Sequence, residues 1–264
     1  MADDSPPFAA RIRIHEIAFE LDASGTVRGA LTRKAFETAP SGASGSVLFG
    51  VWRDFGVAVK ILPTLRGVAP DLAELDFAAE VDNMVAVRAL VDRARTLERA
   101  GAPLTEQCYL RIVGRRCREP HDLRGWRHLV YVYGVGTIPD LASLAPGLPP
   151  GPAYFVVMEP LTGGSLKTPP RPADVVARAP LELSSGLAAL AAAHVVHADL
   201  KPENIMLRAP GGELVLTDYG VGRIARGGVD EATARTEGFV NGTDPYWAPE
   251  LFDDVHVNSY ATDM

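Results

Sequence analysis

The sequence predicts an α+β protein, and three observations carry that prediction. Between Ser41 and Leu62, Gly-rich turns alternate with β-branched runs, the pattern of two or three antiparallel strands. From Asp71 the pattern changes to helical spacing. Further on, short apolar runs at Tyr154–Met158 and Leu214–Leu216 flank a long helical stretch from Leu181 to Ala193.

Each element has a local reason. Residues 1–35 form a weakly patterned leader, with strand character only at Ile12–Phe19. The helix is expected to begin near Asp71. Pro70 precedes it, and Asp71-Leu72-Ala73-Glu74 is a capping-box pattern whose side chains can satisfy orphan backbone donors. Apolar Leu75, Ala78, Val81, Met84 and Val85 keep one face buried, and the pattern extends towards Leu97. Residues from about 100 to 126 are polar and Arg-rich and read as an insertion. Strand text resumes at Leu129–Tyr133, the Pro/Gly-rich stretch Pro139–Pro152 is a loop, and Tyr154–Met158 is a buried strand. No internal repeat is visible.

Composition narrows the function classes. Of 264 residues, 47% are hydrophobic and 22% charged, ordinary globular usage that supports a packed core. A net charge of -7 argues against a general nucleic-acid or anionic-membrane binder. With only Cys108 and Cys117, no disulfide framework is implied and a reducing compartment fits. The N-terminus lacks the basic region and apolar core of a secretory signal, and the apolar run Leu187–Val196 contains His194 and is too short to span a bilayer. The expectation is a soluble, cytoplasmic protein without a membrane span or nucleic-acid partner. Cys108, Cys117, His121 and His128 do not follow a zinc-finger spacing, and Arg111, Arg115, Arg116 and Arg118 crowd them with positive charge.

The chemistry-bearing text lies in the second half. His197-Ala198-Asp199-Leu200-Lys201-Pro202-Glu203-Asn204 places a carboxylate, a lysine and an amide on one short loop. Asp218-Tyr219-Gly220 follows a strand-like run, and Ala248-Pro249-Glu250 comes later. Upstream, Val57-Ala58-Val59-Lys60 ends a strand in a lysine. These blocks, in this order, resemble the eukaryotic-type protein kinase family.

The resemblance implies a two-lobed kinase-like fold: an N-lobe sheet with one helix above a mainly helical C-lobe. The expected division is a leader at 1–35, an N-lobe at 36–158 containing the insertion, and a partial C-lobe at 159–264. It also implies ATP and Mg2+ as cofactors and phosphoryl transfer to serine or threonine hydroxyls of a protein substrate. By that resemblance Asp199 would take or orient the hydroxyl proton, and Lys201 would stabilise the transferred phosphoryl group. Asn204 and Asp218 would ligate magnesium. Lys60 would contact the α- and β-phosphates and pair with Glu80, with Glu74 as the rival partner. Gly42, Gly45 and Val47 would form the phosphate-covering loop, although Pro40 stands where a glycine belongs. Ala58 would belong to the cofactor site, and Glu159 and Leu161 would hydrogen-bond the adenine through backbone groups.

Four further expectations follow. Tyr219 replaces the family's phenylalanine as an aromatic plug. Ala198 replaces an arginine that pairs with a loop phosphate, so activity is expected not to depend strongly on that phosphorylation. Thr243 would lie near Asp199 and Lys201, and Thr233 and Thr236 are candidate phosphorylation sites. Tyr260–Met264 resembles the start of the C-lobe's central helix, with Asp263 as its tethering aspartate; the reading is of an incomplete C-lobe. Two alternatives stand beside the enzyme: a nucleotide-binding pseudokinase or scaffold, and an interaction module using the Arg-rich insertion and the Pro-rich loop.

Overall fold

The computed structural model describes residues 6–22, 25–29, 31, 36, 41–42, 45–63, 70–112, 115–169, 172–219, 234–235, 246 and 257–258. The chain forms two compact units, Met1–Phe77 with Tyr131–Pro160, and Ala78–Val130 with Leu161–Met264. The expected N-lobe segment 36–158 is therefore shared between them.

The first unit is built on a seven-stranded antiparallel sheet. Its strands are β1 (Ala18–Asp22), β2 (Gly25–Gly29), β3 (Ser41–Gly42), β4 (Gly45–Trp52) and β5 (Phe55–Pro63), followed after a long excursion by β8 (Val132–Ile138) and β9 (Ala153–Met158). The order is β2-β1-β4-β5-β9-β8, with β3 paired to β4. Alternating apolar residues on β4, β5 and β9 bury Leu48, Val59, Ile61, Phe155 and Val157, and this burial is what fixes the register.

The segment read as a leader is part of this sheet. β1 pairs with β4, and Ala9 N–H donates to the Tyr133 carbonyl while Ile12 N–H donates to that of Val135. Ile12, Ile17 and Phe19 are buried. The approach needs glycine: a Cβ at Gly136 would sit 2.2 Å from the Ile12 carbonyl oxygen and 2.2 Å from Phe155. Phe77, at the first unit's end of helix α1 (Pro70–Arg99), stacks on Tyr154 with ring centroids 4.0 Å apart.

The second unit contains the rest of α1 and helix α2 (Ala173–Ala192). It also holds two ribbons, β6 (Thr105–Ile112) with β7 (Arg115–Asp122), and β10 (Ile205–Leu207) with β11 (Leu214–Leu216). The Arg-rich insertion is thus the β6–β7 hairpin followed by a 3-10 turn at Leu123–His128. Pro120 is accommodated opposite Gln107 because a two-stranded ribbon has edges on both sides. Val87, Val91, Ala94, Leu123, Leu129, Ala189, Leu190, Leu214 and Leu216 form the core of this unit.

Helix α2 holds the β10–β11 ribbon by its polar side chains. Arg178 Nη1 lies 2.9 Å from Glu182 Oε1, and Glu182 Oε2 accepts the Leu214 N–H at 2.8 Å. His128 Nδ1 lies 2.8 Å from the Leu214 carbonyl, so both backbone groups of Leu214 meet side chains. The 3-10 turn presses on α2 where only glycine fits, since a Cβ at Gly125 would lie 1.8 Å from the Ser185 carbonyl oxygen. Among the described residues, α2 is the one helix long and apolar enough to cross a membrane. Its packing against the 3-10 turn and β11, and its charged Arg178 and Glu182, suit a helix laid on a protein core.

Candidate catalytic and metal-binding site

The catalytic-loop residues fall in the second unit, between α2 and β10. His197 is fully buried and joins two parts of the site. Its Nδ1 accepts the Asp199 N–H at 3.3 Å, which makes Nε2 the protonated nitrogen that donates to the Thr217 carbonyl at 2.9 Å. One imidazole therefore fixes the backbone of Asp199 and the residue preceding Asp218.

Asp199 is nearly buried, 9% exposed, and its Oδ2 is held from two sides. Lys201 Nζ lies 2.7 Å away and Asn204 Nδ2 donates at 3.0 Å; the same nitrogen donates to the Asp199 carbonyl at 2.8 Å. The D-x-K-x-x-N spacing thus folds into a closed cluster, with Pro202–Asn204 as a 3-10 turn that brings Asn204 back under Asp199. An anionic oxygen kept in this place needs these donors, because a buried charge without partners is costly.

Asn204 and Asp218 arrive at the same end of the β10–β11 ribbon. Ile205 pairs with Leu216, and beyond that pair the Thr217 N–H donates to the Asn204 carbonyl at 2.9 Å. Thr217 Oγ1 donates to the same carbonyl at 3.2 Å. Asp218 follows directly with a left-handed φ of 62°, a conformation aspartate tolerates better than bulkier residues. Ala198, where the family has arginine, also has a φ of 62°.

The donor chemistry fits a hard divalent cation. With Asn204 Nδ2 engaged by Asp199, its amide oxygen is the atom left to face a metal, and Asp218 supplies a carboxylate. Oxygen ligands of this kind suit Mg2+, which is bound by few protein groups together with phosphates.

The sheet-borne residues lie in the first unit. Val47 is directly opposite Lys60 across β4 and β5, and Ala58 is opposite Met158 across β5 and β9. Paired residues share a face and the side-chain period is two, so Val47, Ala58, Lys60 and Met158 lie on one face of the sheet. Lys60 is only 7% exposed. Gly42 and Gly45 face each other as the pair that closes the β3–β4 ladder. At the end of β9 the Glu159 N–H donates to the Tyr131 carbonyl, and its Oε1 accepts the Tyr131 N–H, each at 2.9 Å.

Glu80 lies on α1 and is half-buried, and Leu161 is buried; both belong to the second unit. Lys60 and Glu80 thus fall in different units. Pro40, Thr233, Thr236, Thr243, Ala248-Pro249-Glu250 and Asp263 lie outside the described residues, as do the side chains of Glu74, Cys108, Cys117 and His121.

Two features of the site went unread in the sequence. Asn83, fully buried on α1, donates through Nδ2 to the Tyr219 carbonyl at 3.4 Å. The Tyr219 hydroxyl donates to the Val130 carbonyl at 2.7 Å. The available signal was an asparagine, a poor helix former, set among the apolar positions of a helix.

Comparison with known proteins bears on the same stretch. Residues 150–264 match the family model described as the protein kinase domain. The chain is 45% identical over 71 residues to the serine/threonine-protein kinase PkaA of Streptomyces coelicolor, covering 26% of this chain and 12% of PkaA. It is 35% identical over 105 residues to PknL of Mycobacterium tuberculosis, covering 38% of this chain and 25% of PknL. It is 31% identical over 132 residues to the probable serine/threonine-protein kinase pknA2 of Bifidobacterium longum, covering 48% of this chain and 15% of that protein. The chain thus spans a quarter or less of the length of these relatives. The stretch that matches the protein kinase domain, residues 150–264, is the one that carries the Asp199–Asn204 cluster and Asp218.

Proposed function

We propose that this chain transfers the γ-phosphoryl group of Mg-ATP to serine or threonine hydroxyls of a protein substrate. The observation that carries this reading is the closed cluster of Asp199, Lys201 and Asn204, with Asn204 and Asp218 at one end of the same ribbon. Asp199 takes the proton of the acceptor hydroxyl as its oxygen bonds to the γ-phosphorus and the bond to the bridging oxygen of ADP breaks. Lys201, already beside that carboxylate, carries positive charge to the transferring phosphoryl oxygens. Asn204 and Asp218 would hold Mg2+, which when bound neutralises phosphate charge. In the first unit, the shared face of Val47, Ala58 and Lys60 supports apolar packing against a base beside a cation for the phosphates. The serine/threonine preference rests on the Lys201-Pro202-Glu203-Asn204 text and on the names of the relatives.

The test is phosphate transfer from labelled ATP to a serine/threonine peptide library, using the full chain with Mg2+. Transfer that disappears in Asp199→Asn, with the fold retained by circular dichroism, supports the reading. Absence of transfer in the parent chain, with cooperative unfolding intact, overturns it.

A further inference from the structure

The Asp218-Tyr219 turn is fixed to the second unit by more than the backbone ladder that leads into it. Tyr219 is 2% exposed, and its ring meets His197 edge-on with centroids 6.5 Å apart. Its hydroxyl donates to the Val130 carbonyl at 2.7 Å, a bond phenylalanine cannot make. Its carbonyl accepts from Asn83 Nδ2 at 3.4 Å, across a sequence separation of 136 residues. Both outside partners are fixed: Asn83 is fully buried on α1, and the Val130 N–H donates to the Leu216 carbonyl at 3.1 Å.

The residue held in this way follows Asp218, whose left-handed φ of 62° is a conformation local sterics do not favour. Such a conformation persists where its surroundings over-determine it. Release of the Tyr219 side chain and carbonyl would let that turn relax and carry the Asp218 carboxylate away from Asn204.

We propose that Asn83 and the Tyr219 hydroxyl are positioning residues, forming a two-point clamp that sets the Asp218 carboxylate for its cation. This inference rests on the reading of Asp218 as a magnesium ligand. It goes beyond the role of aromatic plug, because the polar atoms carry it and the ring does not. It also makes α1 a determinant of metal-site geometry, acting through an amide hydrogen bond.

The test uses the full chain and three variants: Tyr219→Phe, Asn83→Leu and, as a packing control on the same helix, Val87→Ala. The first readout is hydrogen–deuterium exchange of the Thr217 and Tyr219 amides. The second is the Mg2+ concentration for half-maximal phosphate transfer at saturating ATP. The clamp variants are expected to exchange about fivefold faster at these amides, roughly the factor carried by one hydrogen bond. They are also expected to need about fivefold more Mg2+, with a smaller change in kcat, by the same argument. Val87→Ala lowers Tm without moving either readout. Unchanged local exchange in both clamp variants, or changes matched by Val87→Ala at equal loss of Tm, would overturn the clamp. If the parent chain transfers no phosphate, the kinase reading fails while the exchange measurement still decides the clamp.

Discussion

Replacement of His197 is the sharpest test of how this site is held. His197 is fully buried, and its two ring nitrogens serve two separate segments: Nδ1 takes the Asp199 N–H and Nε2–H serves the Thr217 carbonyl. In His197→Phe an aromatic ring of somewhat larger volume fills the site, and both hydrogen bonds are lost. The Thr217 bond, at 2.9 Å, is a normal one worth about 1 kcal/mol net, and the 3.3 Å bond to Asp199 is weaker. Burial prevents water from replacing them, and each stranded backbone group adds a penalty of about 1–3 kcal/mol. The total expected loss is about 3–7 kcal/mol. For a chain of this size that corresponds to a fall in Tm of roughly 6–28 °C. His197→Gln can restore a donor towards Thr217 but offers no acceptor at the Nδ1 position, so it should recover part of the stability. Urea and thermal denaturation of both variants measure this directly. A Tm for His197→Phe within about 2 °C of the parent would show that water reaches these groups, and the argument from burial would be wrong.

Asp218→Asn removes the carboxylate proposed for the cation; phosphate transfer should fall by at least about 10²-fold, with Tm nearly unchanged. Lys60→Met should do the same from the sheet side, and turnover near the parent rate in either purified variant would refute the assignment. Gly125→Ala forces a Cβ to within 1.8 Å of the Ser185 carbonyl and should cost about 3 kcal/mol or more. Gly56→Ala, with nothing within 4 Å of its Cβ, is the matched control and should leave Tm within about 2 °C of the parent in the same denaturation experiment. The ion pair Lys167–Glu203, with Nζ 2.8 Å from Oε1, supplies a pH prediction. The hydrogen bond to Lys167 holds the Glu203 carboxyl below its usual range, and the hydrogen bond to Glu203 raises the Lys167 ammonium above its own. A lowered acid stabilises the fold above its unfolded pKa and loses that contribution as pH falls through the folded value; a raised base loses its contribution as pH rises through its folded value. Any Tm difference between the parent and Lys167→Gln should therefore be flat near neutrality, shrink below the carboxylate range, and shrink again at strongly alkaline pH. Added salt should also reduce it, because both groups are solvent-accessible.

Local chemistry made the closed Asp199–Asn204 loop legible in the sequence. A carboxylate, lysine and amide within six residues can meet only if the chain closes on itself, and Pro202 at the start of a 3-10 turn closes it. The strand carrying Lys60 was legible because alternation and β-branching agree there. The leader was not, since its place in the sheet depends on glycines at 134 and 136, more than 100 residues away. The β6–β7 hairpin was hidden by charge and by Pro120: an isolated two-stranded ribbon need not alternate apolar with polar residues, so the usual strand signal is absent. Asn83 and the Tyr219 hydroxyl were invisible for another reason. Each acts on a backbone carbonyl, and a carbonyl carries no residue-type signature in the sequence.

The separation between the two candidate metal ligands is a consequence of ribbon geometry. Asn204 and Asp218 are adjacent in space because β10 and β11 are each three residues long and pair Ile205 with Leu216, Met206 with Val215 and Leu207 with Leu214. What matters is that each ligand sits at a fixed distance from that ladder, Asn204 one residue before it and Asp218 two after. The turn between Arg208 and Glu213 only has to reverse the chain, and it is stapled from outside by Arg178. A one-residue slip of the ladder would turn Leu214, Val215 and Leu216, all fully buried, to the opposite faces, and would move Asp218 relative to Asn204 at the same time. The apolar core of this unit therefore sets the geometry of the candidate metal site: three buried side chains hold the register that brings Asn204 and Asp218 to one end of the ribbon. Polar residues near the site refine that placement, but the hydrophobic register makes it possible.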